Sequence, residues 1–412
     1  MEYGLIGAHL PHSFSKAIHE SLTDYTYELT ELTAEELPEF LTKRSFKAIN
    51  VTIPYKEAVI PFLDVIDEKA QRIGAVNTVV NREGKLYGYN TDHAGMAALI
   101  EKNGISLRGK KVLILGSGGT SKTAKAVAED LGAREVYRLS RGEKPGCIGY
   151  EEAYSRHGDA QVLINTTPAG MYPHLEGMAA ELSRFPRLEA AVDAVYNPLR
   201  SAFILAAKER GIRAAGGLYM LIAQAAAAIA HFIGTRPDGE AVEALYRSMV
   251  RERENIVLIG MPGSGKSTVG AILAKKLGRK LVDTDALIVE TAKMPITDIF
   301  AKEGETAFRD METAAIASLA DRMGLVIATG GGAILREENR KLLRHNGRLY
   351  FLDRPLSDIL PTDDRPLSSD REALTARYRE RYPIYTAAAD CRIDNSGSAE
   401  AAADAIMEEF DA

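Results

Sequence analysis

Residues 256–270 read IVLIGMPGSGKSTVG, an apolar run, a turn with three glycines, and a segment of helical character. That order opens an α/β domain. A buried strand delivers the chain to a turn that only glycines can make, and a helix leaves it. The spacing Gly260-x-x-x-x-Gly265-Lys266-Ser267 satisfies the phosphate-loop pattern G-x-x-x-x-G-K-[S/T]. Its backbone N–H groups, from Gly263 and Ser264 through Gly265 to Ser267 and Thr268, converge on nucleotide phosphates. Lys266 brings a point charge to the β- and γ-phosphates, and Ser267 offers a hydroxyl to Mg²⁺. The loop starts past the middle of a 412-residue chain, so the residues before it must fold as a unit of their own. The charged helical stretch RPDGEAVEALYRSMVRERE ends where NIVLIG begins, which places the join near Arg251–Asn255.

Short apolar runs alternate with helical patterns along the whole chain, the signature of α/β architecture. At 46% hydrophobic and 26% charged residues, this is the mix of a globular protein. A net charge of −6 supplies no electrostatic reason to bind nucleic acid or an acidic membrane. The apolar stretch from Leu218 to Gly234 is Ala-rich, contains Gln224 and His231, and is short for a membrane span. A buried core helix is expected there. No signal peptide is visible at the N-terminus, and Cys147 and Cys391 lie far apart, which suits a reducing, cytoplasmic setting. Oligomeric state leaves no trace in the sequence.

A second glycine turn lies upstream. KKVLILGSGGTSKTAKAVAEDLG is strand, turn and helix, with Gly116, Ser117, Gly118, Gly119 and Thr120 at the turn and Ser121 where a dinucleotide fingerprint has its third glycine. The following strand runs into Ser140 and Arg141, with Lys144 nearby, where an NAD site usually carries an acid. A hydroxyl and cations suit a 2′-phosphate, so NADP is expected over NAD. Lys56 follows a strand and a proline turn in AINVTIPYKE, and Asp92 lies in GYNTDHAGM. An ammonium and a carboxylate in one cleft can move a proton while hydride is transferred.

Beyond the phosphate loop, KLVDTD carries Asp283 and Asp285, GETAFRDME carries Arg309, and GGG spans Gly330, Gly331 and Gly332. Arg365 in DDRPLSSD and Arg381 in RERYPIY complete the set. Arginine forks bind carboxylates bidentately, and an aspartate can hold and orient a hydroxyl, so a small, anionic, hydroxylated phosphoryl acceptor is expected.

The series GMPGSGKST, DTD, GETAFRDME, GGG, RPL and R-x-x-x-Y resembles shikimate kinase from Asn255 to the C-terminus. The resemblance implies that Asp285, Arg309, Gly330–Gly332 and Arg381 hold shikimate, with Asp285 as base or orienting group. It further implies that Arg365 closes over ATP from a lid and that Asp283 supports Mg²⁺. The series PHSFSKAIHE, NVTIPYKE, GAVNTVV, GYNTDHAG, NTTPAGMYP, DAVYNPLRSAF and GLYMLIAQAA resembles shikimate dehydrogenase from Met1 to about Thr235. It implies that Ser13, Ser15, Thr52, Asn77, Tyr196 and Gln224 hold the acid, and that Lys56 and Asp92 are the catalytic pair. Gly116–Thr120 and Arg141 would hold NADP, with Gly217 and Met220 near the nicotinamide.

The expected organisation is a substrate-binding domain at 1–93 completed by helices at about 218–250, a Rossmann NADP domain at 94–217, and a P-loop kinase domain with a parallel sheet at 254–412. The expected activity is NADPH-dependent reduction of 3-dehydroshikimate, then ATP- and Mg²⁺-dependent phosphorylation of shikimate, with small-molecule substrates and neither nucleic acid nor membrane as partner. Two rival readings are quinate specificity in the first half and a catalytically decayed ligand sensor.

Overall fold

The computed structural model describes residues 1–10, 13–359 and 371–411. Arg365 lies outside the described residues. The chain forms two compact units, Met1–Ser248 and Met249–Ala412, which part inside the helix Gly239–Arg253.

The first unit contains two sheets. One is mixed and six-stranded: β1 (Tyr3–Gly7), β2 (Tyr27–Glu31), β3 (Ala48–Val51), β4 (Val65–Ile66), β5 (Thr78–Arg82) and β6 (Lys85–Tyr89), in the order β2-β1-β3-β5-β6-β4. The other has five parallel strands: β7 (Lys111–Leu115), β8 (Glu135–Leu139), β9 (Val162–Asn165), β10 (Ala190–Asp193) and β11 (Arg213–Ala215), in the order β11-β10-β9-β7-β8. Every residue of β7 is buried, with Val112 and Ile114 facing one core and Leu113 and Leu115 the other. Helices on both faces of a parallel sheet require this continuous apolar strand. The strand order reverses between β7 and β9, which opens a crevice at their carboxyl ends. Gly116 and Thr166, the residues that follow these two strands, flank that crevice.

The apolar stretch singled out in the sequence is the helix Leu218–Ile233. Its start, through Met220, joins the core of the five-stranded sheet, while Ala228 and Phe232 pack with Leu5, Tyr27 and Val80 of the six-stranded one. The segment is apolar because it is buried between two sheets. Among the described residues no helix is long and apolar enough to cross a membrane.

The second unit holds one parallel sheet: β12 (Asn255–Ile259), β13 (Lys280–Asp283), β14 (Leu325–Ala328), β15 (Gly347–Asp353) and β16 (Cys391–Asp394), in the order β13-β14-β12-β15-β16. Ile256 and Leu258 of β12 pack into one core, Val257 and Ile259 into the other. The phosphate loop therefore leaves the central strand of the sheet.

Candidate active sites

In the first unit, the Lys56 ammonium donates to Asp92 Oδ2 at 2.5 Å, and the two side chains are only 15% and 10% exposed. Lys56 follows the buried strand β3, and Asp92 opens the helix Asp92–Lys102, where a carboxylate is favoured by the helix dipole. Asn77 Nδ2 donates to Asp92 Oδ1 at 2.9 Å. Asn77 is fixed in turn by the Thr91 backbone N–H, which donates to its Oδ1 at 2.7 Å. Thr91 Oγ1 and Asn77 Nδ2 both point at Gln224 Oε1, at 3.4 and 3.5 Å. Gln224 reaches them because helix Leu218–Ile233 lies against helix Asp92–Lys102 at Gly95. A Cβ on Gly95 would stand 2.5 Å from Met220 O and 2.8 Å from Gln224 Cβ. Four expected residues, Lys56, Asn77, Asp92 and Gln224, thus form one hydrogen-bonded group. Thr91 is a fifth member that the sequence reading passed over, although it directly precedes Asp92.

Ser13 and Ser15 are joined to Tyr196 through the residue between them. Phe14, between the two serines, packs on the Tyr196 ring with centroids 5.3 Å apart, and the Ser15 N–H donates to Ser13 Oγ at 3.3 Å. Burial pushes the Tyr196 hydroxyl up from its ordinary value. Thr52 directly follows β3, and its Cγ2 is 2.6 Å from where a Cβ on Gly7 would be.

A cleft of about 1200 Å³ is walled by Gly116–Gly118, Ser140, Arg141, Lys144, Thr166 and Thr167, with Ile53 at its edge. Gly116 has φ 120°, and a Cβ there would be 2.6 Å from Thr166 Oγ1, so glycine is required. Around Gly118 nothing lies within 4 Å of an added Cβ, which leaves room for a phosphate against the loop. Ser121, in the third fingerprint position, is buried and its hydroxyl donates to Gly118 O at 2.7 Å. It closes the turn from within. Thr120 follows Gly119 into the helix Gly119–Asp130. A Cβ on Gly119 would be 3.9 Å from Lys56 Cδ, so the nucleotide loop adjoins the lysine stem. A dinucleotide with a 2′-phosphate fits this cleft: a glycine cradle after β7 and, beside it after the paired strand β8, Ser140, Arg141 and Lys144. Gly217 caps helix Leu218–Ile233 with its Cβ position 2.3 Å from Ala194 O, and Met220 is buried beneath it.

Behind the cleft lies a network that the sequence reading did not find. Asp193 accepts from Ser201 Oγ at 2.5 Å, Val195 N at 2.9 Å and Asn165 Nδ2 at 2.9 Å. Asn165 Oδ1 accepts from Thr167 N at 2.9 Å and Oγ1 at 2.7 Å. Burial drives the Asp193 carboxyl up to about 7 against the pull of these donors. Asp193 thereby braces both the Thr167 loop and the segment that carries Tyr196.

In the second unit, Gly263 and Gly265 have φ 82° and 87°, the left-handed backbone that turns N–H groups inward. Lys266 is buried and donates to Gly260 O and Met261 O, both at 2.9 Å. Ser264 is fully buried inside the turn, and Asn395 Nδ2 donates to its carbonyl at 2.5 Å. Ser267 Oγ, beside exposed Thr268, donates to Asp283 Oδ2 at 2.6 Å. Asp283 Oδ1 caps the helix Thr284–Ala292 through the N–H groups of Asp285 and Ala286, at 3.0 and 3.2 Å. A hydroxyl and a carboxylate held together beside a phosphate loop are the hard oxygen donors that Mg²⁺ takes. Asp285, which sequence alone put at a strand end, lies in the first turn of this helix.

The loop and these acids line a cavity of about 550 Å³ that also takes in Arg309, Glu312, Gly330–Gly332, Arg377 and Arg381. The helix Ile296–Ala317 is broken at Gly304 (φ 85°, ψ 173°), which re-aims the turn carrying Arg309. Arg309 donates to Glu312 at 2.8 Å and Glu305 at 3.1 Å. Burial pushes the Glu312 carboxyl up, although Arg309 opposes it. A Cβ on Gly330 would meet Asp285 Oδ1 at 2.5 Å and Glu312 Oε1 at 2.7 Å. Arg381 Nη1 donates to Gly331 O at 3.2 Å. The sequence reading gave Glu312 no role; its signal was the three-residue spacing from Arg309.

Comparisons with known proteins agree with this division. The family model "Shikimate dehydrogenase substrate binding domain" matches residues 5–79, and the model "Shikimate kinase" matches residues 262–411. A shikimate dehydrogenase (NADP(+)) of Clostridium perfringens is 34% identical over 264 residues, covering 60% of this chain and 97% of the relative. The crystal structure of a Thermus thermophilus shikimate 5-dehydrogenase in complex with NADP(H) and shikimate superposes with TM-score 0.55 at 32% identity, over 60% of this chain and 99% of that one. A chorismate mutase/shikimate 5-dehydrogenase fusion protein from Clostridium acetobutylicum superposes with TM-score 0.57 at 33% identity, over 60% of this chain and 96% of its own. The chain therefore belongs to the shikimate dehydrogenase family and carries a shikimate kinase domain in the same polypeptide.

Proposed function

We propose that the first unit reduces the C3 carbonyl of 3-dehydroshikimate to give shikimate, and that the second phosphorylates the hydroxyl so formed. The observation that carries this reading is the Lys56–Asp92 pair at 2.5 Å, set against Gly119 of the nucleotide loop. NADPH supplies the hydride. As it arrives, negative charge builds on the carbonyl oxygen, and the Lys56 ammonium stabilises and protonates it. Asp92 holds that ammonium in place and accepts a hydrogen bond from a neighbouring ring hydroxyl. Asn77 and Gln224 grip the same side of the ring, while Ser13, Ser15, Thr52 and Tyr196 take the carboxylate and the remaining hydroxyls. Arg141 and Ser140 select the 2′-phosphate, and Gly217 and Met220 back the nicotinamide.

ATP with Mg²⁺ supplies the phosphoryl group. Lys266 leaves its two carbonyls to meet the phosphates, and Ser267 and Asp283 hold the metal side of the site. Asp285 orients the acceptor hydroxyl, and Arg309, Arg381 and the Gly330–Gly332 turn hold the acid. Arg365 belongs to the same proposal as a lid residue. The domain limits that accompany it are 1–93 with about 218–250, 94–217 and 254–412. A cytoplasmic setting, also proposed, rests on the two unpaired cysteines, Cys147 and Cys391.

The test supplies purified protein with 3-dehydroshikimate, NADPH, ATP and Mg²⁺. NADPH should be consumed with or without ATP, and shikimate 3-phosphate should appear only with it. Binding of both ligands without either product would favour the sensor reading instead.

A further inference from the structure

We infer that Arg377 is a further acceptor-binding residue of the kinase site, a guanidinium that pairs with the carboxylate of the cyclic acid. The inference rests on the kinase reading above and adds to it a residue and a point of contact. Arg377 and Arg381 stand four residues apart on the helix Arg371–Ala388, so both project from one face. Two like charges at that spacing repel each other, and a bound anion facing both relieves the repulsion. Both line the 550 Å³ cavity. Arg381 is 5% exposed and is anchored on Gly331 O, while Arg377 is half-buried one turn nearer the helix start.

The surroundings of Arg377 mark its end of the cavity. Its guanidinium is held below the ordinary value by burial, then by the positive fields of Arg381 and Arg309, with Glu305 and Glu380 opposing. Two of these neighbours, Arg309 and Arg381, are the arginines proposed above to hold the acceptor. An acceptor whose reacting hydroxyl faces the phosphate loop turns the far side of its ring toward that end. There Arg309 donates to Glu312 and Glu305, which fixes the direction of its guanidinium and leaves further N–H groups for the acid. Arg377 beside Arg381 supplies the cationic surface that a carboxylate requires.

The experiment uses the full chain, wild type and the variants Arg377→Met and Arg377→Lys, with shikimate and its uncharged methyl ester as acceptors. Loss of one charge-assisted contact should raise KM for the acid by about 10- to 100-fold in Arg377→Met. Turnover number and KM for ATP should hold, because the contact is made equally in ground and transition states. The ester's KM should be the same in wild type and Arg377→Met, and Arg377→Lys should recover part of the loss for the acid. An unchanged KM for the acid overturns the inference alone. So does an equal loss for acid and ester, which would make Arg377 only a structural partner of Glu305, and so does a parallel loss of ATP binding. A wild type that leaves the acid unphosphorylated overturns the kinase reading, and this inference with it.

Discussion

Lys56 and Asp92, 36 residues apart in the chain, meet at 2.5 Å, and Asn77 holds the far oxygen of the aspartate at 2.9 Å. A charged pair this well positioned acts as one device. Lys56→Ala should lower the NADPH-dependent turnover by about 10²–10⁴-fold. The double variant Lys56→Ala/Asp92→Asn should lose little more than the worse single one, since residues that act together are not additive. Phosphorylation of added shikimate, assayed on the same samples, should not change.

Arg141 is exposed at the rim of the nucleotide cleft beside Ser140. Arg141→Ala should raise KM for NADPH about tenfold, the worth of one charge-assisted contact to phosphate, and leave KM for NADH nearly unaltered. Steady-state kinetics with both nucleotides check this. An equal effect on the two would place the 2′-phosphate elsewhere.

Lys266→Met should abolish phosphoryl transfer while NADPH oxidation continues. Ser267→Ala should act differently: its hydroxyl bonds Asp283 at 2.6 Å on the metal side, so the variant should need more Mg²⁺ for half-maximal rate. A Mg²⁺ titration at fixed ATP separates the two outcomes.

Gly95 permits the contact between the helix that begins at Asp92 and the helix that carries Gln224. Gly95→Val would force a Cβ to within 2.5 Å of Met220 O, and overpacking of this kind costs about 1–3 kcal/mol. The first unit should melt lower by about 2–4 °C per kcal/mol. Its KM for the acid should rise as Gln224 is displaced. Thermal unfolding with kinetics at low temperature distinguishes the two effects.

Two buried groups pull the pH dependence of the first unit in opposite directions. Burial lowers His19 to about 3, so its contribution to stability is present above pH 6.5 and is lost as pH falls toward 3. Burial raises Asp193 to about 7, so its contribution is present below pH 3.8 and is lost as pH rises through 7. Each linkage is worth at most about 4–5 kcal/mol, and between pH 4 and 6.5 they offset one another. His19→Gln should leave a unit that weakens as pH rises through that window. Asp193→Asn should leave one that strengthens. Urea unfolding at pH 4.5, 5.5 and 6.5 reads both slopes.

Much of this molecule is legible in its sequence. The turn at Gly260–Ser267 and the turn at Gly116–Gly119 are local chemistry: an apolar strand, residues that accept positive φ, and a helix. Neighbouring residues alone determine such elements, so strand, loop and helix appear where their composition places them. The apolar runs Val112–Leu115 and Ile256–Ile259 likewise read as buried strands of an α/β pattern. The ordered motif series added the residues Lys56, Asp92, Asp285, Arg309 and Arg381, although spacing alone did not give their geometry.

Contacts between distant segments were decided only by packing. Asn77 and Gln224 are 147 residues apart, and they approach because Gly95 lets two helices touch. Ser121 stands where the fingerprint has a glycine, and only the fold brings its hydroxyl to close the turn on Gly118 O. Asp193 and Arg377 carry no mark of their own, and Glu312 only its spacing from Arg309, since an acid or an arginine in a helical or strand-end pattern is usually solvated. Their roles depend on which face of an element is turned inward, and that is set by the summed burial of the cores on either side. Local sequence chose the elements and the turns; only the tertiary fold chose which polar groups would be sealed together, because burial is a property of the whole packed unit.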